Sequence, residues 1–443
     1  MRFRLSLVGV VIVAIPLSFS AACSSSNGDT ATDAGTSPGP GDVQTPPSTG
    51  TDIGDSGTPD DGGIDASVAS LTVGAACTAD AQCLSGGCDD TMHCAVGRSC
   101  TQAHGGRTCG PNGDQSCCDT AAVPMPTTPF VLDKYNITAG RFRQFITKTQ
   151  GNVRGYVQAN RPTWFPADWD AWLPIVMDDG TKIVGTDHTF PTGTGRDGVY
   201  QQLGPIHYGV EGPGNEGCLT KEIGNARTYR LPDAVNTTDF ADVQQYTQDV
   251  LDEKPQQCTD FFMFAAFCIW DGGRMPTVDE LAYAWDGGNA DAHNYPWANT
   301  PVPGGWNDAF DTQADAKSFA KVTPAGSDQT YANYRYNWWS PATLKCVGAT
   351  DQCDYSIYLA PPGRFPKGNG PFGHSDFAGN VYNMTMPPAA IPAGTTPDKI
   401  QVGLTRTGAF DGHGIPATRP AKGTSVWPAT NKYLAVGSRC VRN

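Results

Sequence analysis

The chain has 443 residues, of which 39% are hydrophobic, and a formal net charge of −14 at pH 7. This length exceeds one ordinary domain unless part of the chain is unfolded. Eight Asp and no Lys or Arg lie between positions 24 and 70, so the remainder is only mildly acidic and nucleic acid is not expected as a partner.

Residues 1–22 have the pattern of a secretory signal. Positive charge in "MRFR" precedes an apolar run from Leu5 to Leu17, which is too short for a good spanning helix. Small residues before Cys23 resemble the bacterial lipoprotein cleavage box, which implies a lipid on that cysteine; an ordinary signal cut nearby is the alternative. We therefore expect a cell-envelope protein, held by a lipid anchor at the outer membrane or cell surface, with the membrane as a partner.

Residues 23–70 predict a disordered acidic tether. The segment is built from Gly, Ser, Thr, Pro and Asp with almost no bulky apolar residue. Such a composition cannot bury enough surface to offset the entropy lost on ordering. We expect this tether to hold the folded part away from the membrane.

Residues 71–120 predict a small disulfide-rich module. The spacing lacks the two CxxC pairs of a zinc ribbon, and an exported chain favours oxidised cysteines. Removal of Cys23 leaves 14 cysteines, an even number that suggests full pairing. The adjacent Cys117 and Cys118 call for two different partners, although the connectivity cannot be deduced. The module carries eight cysteines, at positions 77, 83, 88, 94, 100, 109, 117 and 118.

Three segments predict helices in the main body, residues 121–443. The first is "ITAGRFRQFITK", with Thr138 as its predicted N-cap. The second is "CTDFFMFAAFCIW", with Thr259 as its predicted N-cap. In the third, "TVDELAYAWDGG", Thr277 and Glu280 form a capping box and the two glycines end the helix. Little else has a regular period, so the predicted fold class is α+β with low regular secondary structure.

Six segments of this body resemble one family when they are taken in order. The segments are "PFVLDKYNITAGRFRQFI", "FAAFCIWDGGRMPTVDELAYAWDGGN", "YPWAN", "YANY", "DFAGNVYNMT" and "VGSRCVRN". Together they resemble the formylglycine-generating enzyme, or sulfatase-modifying factor, superfamily over residues 121–443. The resemblance implies a variant of the C-type-lectin-like fold, preceded here by the disulfide-rich module.

The resemblance also implies calcium at two sites, because calcium prefers hard oxygen ligands of the kind that these segments offer. Two hydrogen-bonded turns without metal are the alternative. The ligands of the first site would come from Asp376, the carbonyls of Gly379 and Val381, and Asn383. The ligands of the second would be Asn333, the carbonyl of Tyr334 and an acid, Asp354.

A long-range disulfide follows from the same resemblance. The family commonly joins the cysteine before the "GGRMPT" segment to that of the terminal "RCV", which would pair Cys268 with Cys440. Four body cysteines then remain. They would form the pairs Cys346–Cys353 and Cys218–Cys258.

The catalytic thiols of the family have no counterpart in this chain. Active members oxidise a substrate cysteine with oxygen and bind copper(I), a soft metal, through two thiols. The corresponding positions fall near Gly412 and Ala417, and residues 406–439 contain no cysteine. We therefore expect no copper and no formylglycine-generating activity.

Three functions are compatible with these residues. The leading hypothesis is a domain that binds or scaffolds an unidentified peptide, protein or glycan. The alternative is an enzyme with divergent chemistry that uses Asp411 and His413 in the ancestral cleft, and a third reading is a calcium- and disulfide-braced spacer. The aromatic run "YANYRYNWWS", residues 331–340, fits either core packing or a sugar-stacking surface.

Overall fold

The structure is a computed structural model, and all the residues that it describes belong to one compact unit, Ile64–Asn443. The predicted signal, the tether and Cys23 lie outside the described residues. The described residues are 71–100, 105–178, 197–203, 228–230, 246–289, 296–297, 331–333, 338, 358–392, 394–396, 399–405, 409 and 424–442.

The described part of the chain is a mixed helix and sheet structure with little regular secondary structure. The helices are α1 Ala139–Lys148, α2 Val153–Ala159, α3 Val199–Gln202, α4 Gln248–Asp252, α5 Phe261–Trp270 and α6 Val278–Asp286. Short 3-10 helices occur at Asp80–Gln82, Ala167–Trp172 and Pro366–Gly368. The strands are β1 Thr120–Val123, β2 Phe130–Asp133, β3 Gly273–Arg274, β4 Tyr382–Thr385, β5 Gln401–Thr405, β6 Thr424–Pro428, β7 Val436–Gly437 and β8 Val441–Arg442.

Two four-stranded sheets organise these strands. The first has the order β1-β2-β8-β3 and is antiparallel throughout, with Arg442 opposite both Val131 and Gly273. The second has the order β6-β5-β4-β7, in which β4 and β7 run parallel. The C-terminal residues therefore lie at the centre of the first sheet, and they bring the two ends of the body together.

The three predicted helices are present, with one correction. Thr138 accepts from the Arg141 N–H at the start of α1, and Thr277 and Glu280 form the capping box of α6. At α5 the N-cap is Asp260, whose side chain accepts from the Met263 N–H, so the assignment of Thr259 was wrong by one residue. The physical reason is that the Thr259 hydroxyl bonds within the preceding turn, to the Gln257 carbonyl.

An aromatic core forms where α1 packs against α5. The Phe142 and Phe267 rings stack with centroids 5.7 Å apart, and Phe145 meets Phe267 edge to face at 5.8 Å. All three side chains are fully buried. Aromatic pairs at these separations add to the free energy of burial, so this contact is a main source of stability for the body.

A buried ion-pair cluster joins the body to the segment before it. Arg141 and Arg442 both bond the Asp271 carboxylate, at 2.7 and 2.9 Å, and Arg442 also bonds Asp133 at 2.6 Å. The Ser99 N–H donates to Asp271 Oδ1 at 2.7 Å. Paired and hydrogen-bonded in this way, the charges avoid the large cost of isolated burial.

The cysteine-rich segment contains four disulfides. Cys117 and Cys118 have different partners, which confirms that prediction. The bonds are Cys77–Cys88, Cys83–Cys94, Cys100–Cys118 and Cys109–Cys117.

Candidate functional site

The 374–383 turn winds tightly against residues 331–333. Asp376, Gly379 and Asn380 all have positive φ, at 56°, 82° and 60°. A Cβ at position 379 would lie 2.6 Å from the Asn333 carbonyl oxygen, so only glycine fits this close approach. Tight winding buries the polar groups of the turn and decides which partners their oxygens can reach.

Asp376 is a buried carboxylate at the start of this turn. Its Oδ2 accepts from the Gly363 N–H at 2.7 Å. Burial raises the pKa of Asp376 to about 6, and that N–H together with the charges of Arg439 and Arg364 opposes the rise. The turn therefore contains one carboxylate, and the buried guanidinium of Arg439 interacts with it electrostatically.

Asn383 uses its amide oxygen inside the protein. Asn383 Oδ1 accepts from Asn136 Nδ2 at 2.8 Å and from Arg439 Nε at 3.2 Å, and the side chain is buried. A guanidinium nitrogen can only donate, so the contact with Arg439 identifies this Asn383 atom as the oxygen. Both lone pairs of that oxygen are engaged, one of them by a cation.

Calcium does not fit the first predicted site, because the residues there do not leave their oxygens available. An ion at Asn383 Oδ1 would have to displace two donors and would lie beside the positive charge of Arg439. Asp376, Gly379 and Val381 all belong to the 374–383 turn. The set of four ligands is nevertheless incomplete without Asn383.

The second predicted site keeps one oxygen open. Asn333 is fully buried, and its Nδ2 donates to the Tyr358 carbonyl at 2.9 Å and to Asn380 Oδ1 at 3.0 Å. Asn333 Oδ1 has no hydrogen-bond partner among the residues that the structure describes. An unpaired buried oxygen is costly, so this atom fits a cation ligand; the other two predicted ligands, Tyr334 and Asp354, lie outside the described residues.

Strands β5 and β6 flank, in the sequence, the segment to which the family resemblance assigns the catalytic thiols. Thr405 in β5 is paired with Thr424 in β6. The positions assigned to the cleft, namely Asp411, Gly412, His413 and Ala417, lie outside the described residues.

All eleven cysteines of the described part of the chain are disulfide-bonded. Cys268 in α5 is joined to Cys440, the pair that the family resemblance implied. Cys258 is also disulfide-bonded, whereas Cys218, Cys346 and Cys353 lie outside the described residues. The described residues contain one close group of potential metal ligands, Cys77, Cys83 and Cys94. All three sulfurs are disulfide-bonded, so they do not offer thiolates to a metal.

The aromatic run at 331–340 contributes to the core where it is described. Trp338 is fully buried, and the Lys254 Nζ lies 4.9 Å from its ring centre. This placement favours core packing over sugar stacking for Trp338.

Sequence reasoning missed Arg439, Asn136 and Asn380. Arg439 lies in the terminal "VGSRCVRN" segment, where the sequence predicted a role for Cys440 alone. Arginines are mostly exposed, so residue type alone gave no signal that Arg439 is buried.

Residues 98–443 match the family model of the sulfatase-modifying factor enzyme 1-like domain. Among solved structures, the chain is similar to PvdO from Pseudomonas aeruginosa, with 15% identity, a TM-score of 0.35, and coverage of 73% of this chain and 90% of that one. It is also similar to CarF, with 11% identity, a TM-score of 0.29, and coverage of 71% and 86%. No curated protein sequence matches the chain.

No helix in the described part of the chain combines the length and the apolar character that crossing a membrane would require.

Proposed function

The chain belongs to the sulfatase-modifying factor enzyme 1-like family, and we propose that it is a member that binds or scaffolds a ligand without oxidising cysteine. The proposal includes a C-type-lectin-like variant of the fold, with the ligand a peptide, protein or glycan. The observation that supports the proposal is that cysteine is absent from residues 406–439 and that the described cysteines are disulfide-bonded.

The cysteines in the described part of the chain are unsuited to copper chemistry. Residues 406–439 contain no cysteine, and the eleven described cysteines are all oxidised. Copper(I) prefers thiolates, and a thiolate is also the nucleophile in cysteine chemistry. A disulfide sulfur supplies neither, so the proposal removes the metal ligand and the nucleophile together.

The proposal is tested by copper(I) competition with a colorimetric chelator and by oxygen uptake with a cysteine-containing peptide. We expect no copper retained and no peptide oxidised. As a control, thiols are titrated in the denatured protein before and after reduction, and we expect reactive thiols only after reduction. One copper ion retained per chain together with formylglycine in the peptide would refute the proposal.

Ligand binding is tested separately on glycan and peptide arrays. We expect a retained ligand whose binding is weakened by substitutions in residues 406–417. If instead a reaction product is found and Asp411→Asn with His413→Ala abolishes it, the divergent-enzyme reading replaces this one.

The proposal places the protein in the cell envelope, anchored by a lipid on Cys23. The small residues before Cys23 and the polar tether after it support this location. We expect the protein to partition into detergent and Cys23→Ser to partition into water. Equal partitioning of the two would contradict the anchor.

We also propose calcium at the second site, where Asn333 would be one ligand. The support is its buried, unpartnered Oδ1. We expect calcium to raise the thermal unfolding midpoint of the protein and Asn333→Ala to abolish that rise. A rise of the same size in the variant would contradict a role for Asn333.

A further inference from the structure

The Arg439 guanidinium lies in a cage of oxygen atoms. It is fully buried and donates to the carbonyls of Lys134 and Ser375, both at 2.9 Å, and to Asn136 Oδ1 at 3.3 Å. It also donates to Asn383 Oδ1 at 3.2 Å and to the Asp133 carbonyl at 3.5 Å. An arginine has five N–H groups and no acceptor, so a shell of this kind can satisfy it without water.

The chemistry of this cage is that of a hard-cation site. Backbone carbonyls and amide oxygens with a carboxylate nearby are also the ligands that calcium takes. The cage draws on the end of β2, on the turn and on the C-terminal segment. One cation at its centre therefore holds together three parts of the chain that are distant in sequence.

The negative charge around the cage matches one positive charge, that of Arg439. Of the residues predicted to bind calcium in the turn, only Asp376 carries a negative charge. Its carboxylate and that of Asp133 both act electrostatically on Arg439. Asp133 is already paired with Arg442 and Arg141, so the Asp376 carboxylate balances the single charge of Arg439. A divalent ion added beside the guanidinium would leave excess positive charge in a buried region.

One side of the cage is closed by an aromatic ring. The Arg439 Cζ lies 4.5 Å from the centre of the Phe377 ring, and Phe377 is buried. A planar guanidinium stacks favourably on such a face. The ring also excludes the water molecules with which calcium usually completes its coordination.

We infer that Arg439 supplies the cation that closes the 374–383 turn, so that this turn folds without calcium and is bound directly to the C-terminal segment. Asn383 is then a positioning residue, whose oxygen orients the guanidinium. The inference is independent of the proposed ligand binding and of the calcium proposed at Asn333.

The inference is tested by thermal unfolding of the purified protein in EGTA and in calcium, with Asn383→Ala as the variant and Asn333→Ala as its matched control. We expect Asn383→Ala to lower the unfolding midpoint by the same amount in both buffers, since it removes an acceptor from Arg439. A loss confined to the calcium buffer would overturn the inference.

The control keeps two failures distinct. If the unsubstituted protein does not respond to calcium, the calcium proposed at Asn333 fails and the role of Arg439 stands. Should Asn383→Ala fail to fold, a crystal of the unsubstituted protein grown in calcium decides. A calcium ion at about 2.3–2.6 Å from Asn383 Oδ1 would overturn the inference. The Arg439 guanidinium bonded to Asn383 Oδ1, with no ion beside it, would support the inference.

Discussion

Residues 71–95 and residues 97–118 each contain two disulfides, but they contact the body differently. In the first segment the buried cluster consists of Cys77, Cys83 and Cys94, packed with Leu71 and Cys88. In the second, Ser99 bonds Asp271, and the Cys117 carbonyl accepts from Arg141 Nη1 at 3.0 Å.

The two segments also differ in what they leave exposed. The first exposes Val73, Leu84 and Met92, and its contacts with the body include an exposed ion pair, Asp80 with Lys148 at 3.9 Å. The second inserts polar groups into a fully buried charge cluster. Disulfide content therefore does not tell whether a segment is separate from a fold. The family match begins at residue 98, so it includes the second segment and not the first.

Replacement of Asp271 should have the largest effect on this difference. Arg141 and Arg442 share two carboxylates, Asp133 and Asp271, and Asp271→Asn removes the charge of one of them. We expect the free energy of unfolding in urea to fall by about 3–5 kcal/mol. The control is Asp80→Asn, whose partner Lys148 is exposed and which should cost less than about 1 kcal/mol. Equal losses in the two variants would break the comparison.

The two pairs of disulfides should differ almost as strongly. We expect Cys100→Ser with Cys118→Ser to lower the free energy of unfolding of the main transition by about 3 kcal/mol, because the disulfide constrains residues 100–118 in the unfolded chain and this segment is bonded to the buried charges of the body. Cys77→Ser with Cys88→Ser should leave the main transition within about 0.5 kcal/mol and loosen only the first segment. Calorimetry measures the main transition, and limited proteolysis measures the loosening of the first segment. If both double variants lowered the main transition equally, the two segments would unfold with the body as one cooperative unit.

A pair of glycine substitutions should distinguish steric crowding from backbone strain. A Cβ at Gly97 would lie 2.7 Å from the Asp271 carboxylate oxygens, so Gly97→Ala should cost about 1–3 kcal/mol by overpacking. Gly74 has open space around it but a φ of +84°, so Gly74→Ala should cost about 1 kcal/mol and act locally. Urea unfolding of the body should detect the first and not the second.

Acid should weaken the connection of the second segment, with the smallest effect. Burial alone would raise the pKa of Asp271, but Arg442 and Arg141 outweigh it and hold that pKa below its ordinary value. A group with a depressed folded pKa stabilises the protein above its unfolded pKa, and this contribution is lost as the pH falls through the folded pKa. Urea unfolding between about pH 1 and pH 5 should therefore show a steeper loss of stability for the unsubstituted protein than for Asp271→Asn, and parallel curves would contradict the assignment.

Short-range features of the fold could be predicted from the sequence, with errors of about one residue. The Thr138 cap and the Thr277–Glu280 box each depend on side chains within three residues of the N–H groups that they satisfy. The cap of α5 was misplaced because Thr259 and Asp260 are both good N-cap residues, and the choice depends on how the preceding turn uses Thr259.

The candidate site could be located from the sequence but not interpreted. The "DFAGNVYNMT" segment identified the turn, and its residue types suit either calcium or hydrogen bonds. Which of the two holds depends on Arg439, a residue 56 positions from Asn383. Sequence spacing contains no information about that contact.

The sequence by itself determined the caps of α1 and α6, the expectation of oxidised cysteines and the absence of sulfur from residues 406–439, because these follow from residue identity and near neighbours. Only the tertiary structure decided that residues 97–118 contact the buried charges of the body and that Arg439 occupies the oxygen cage. Those outcomes depend on β8 lying between β2 and β3, which brings the end of the chain against residues about 300 positions earlier.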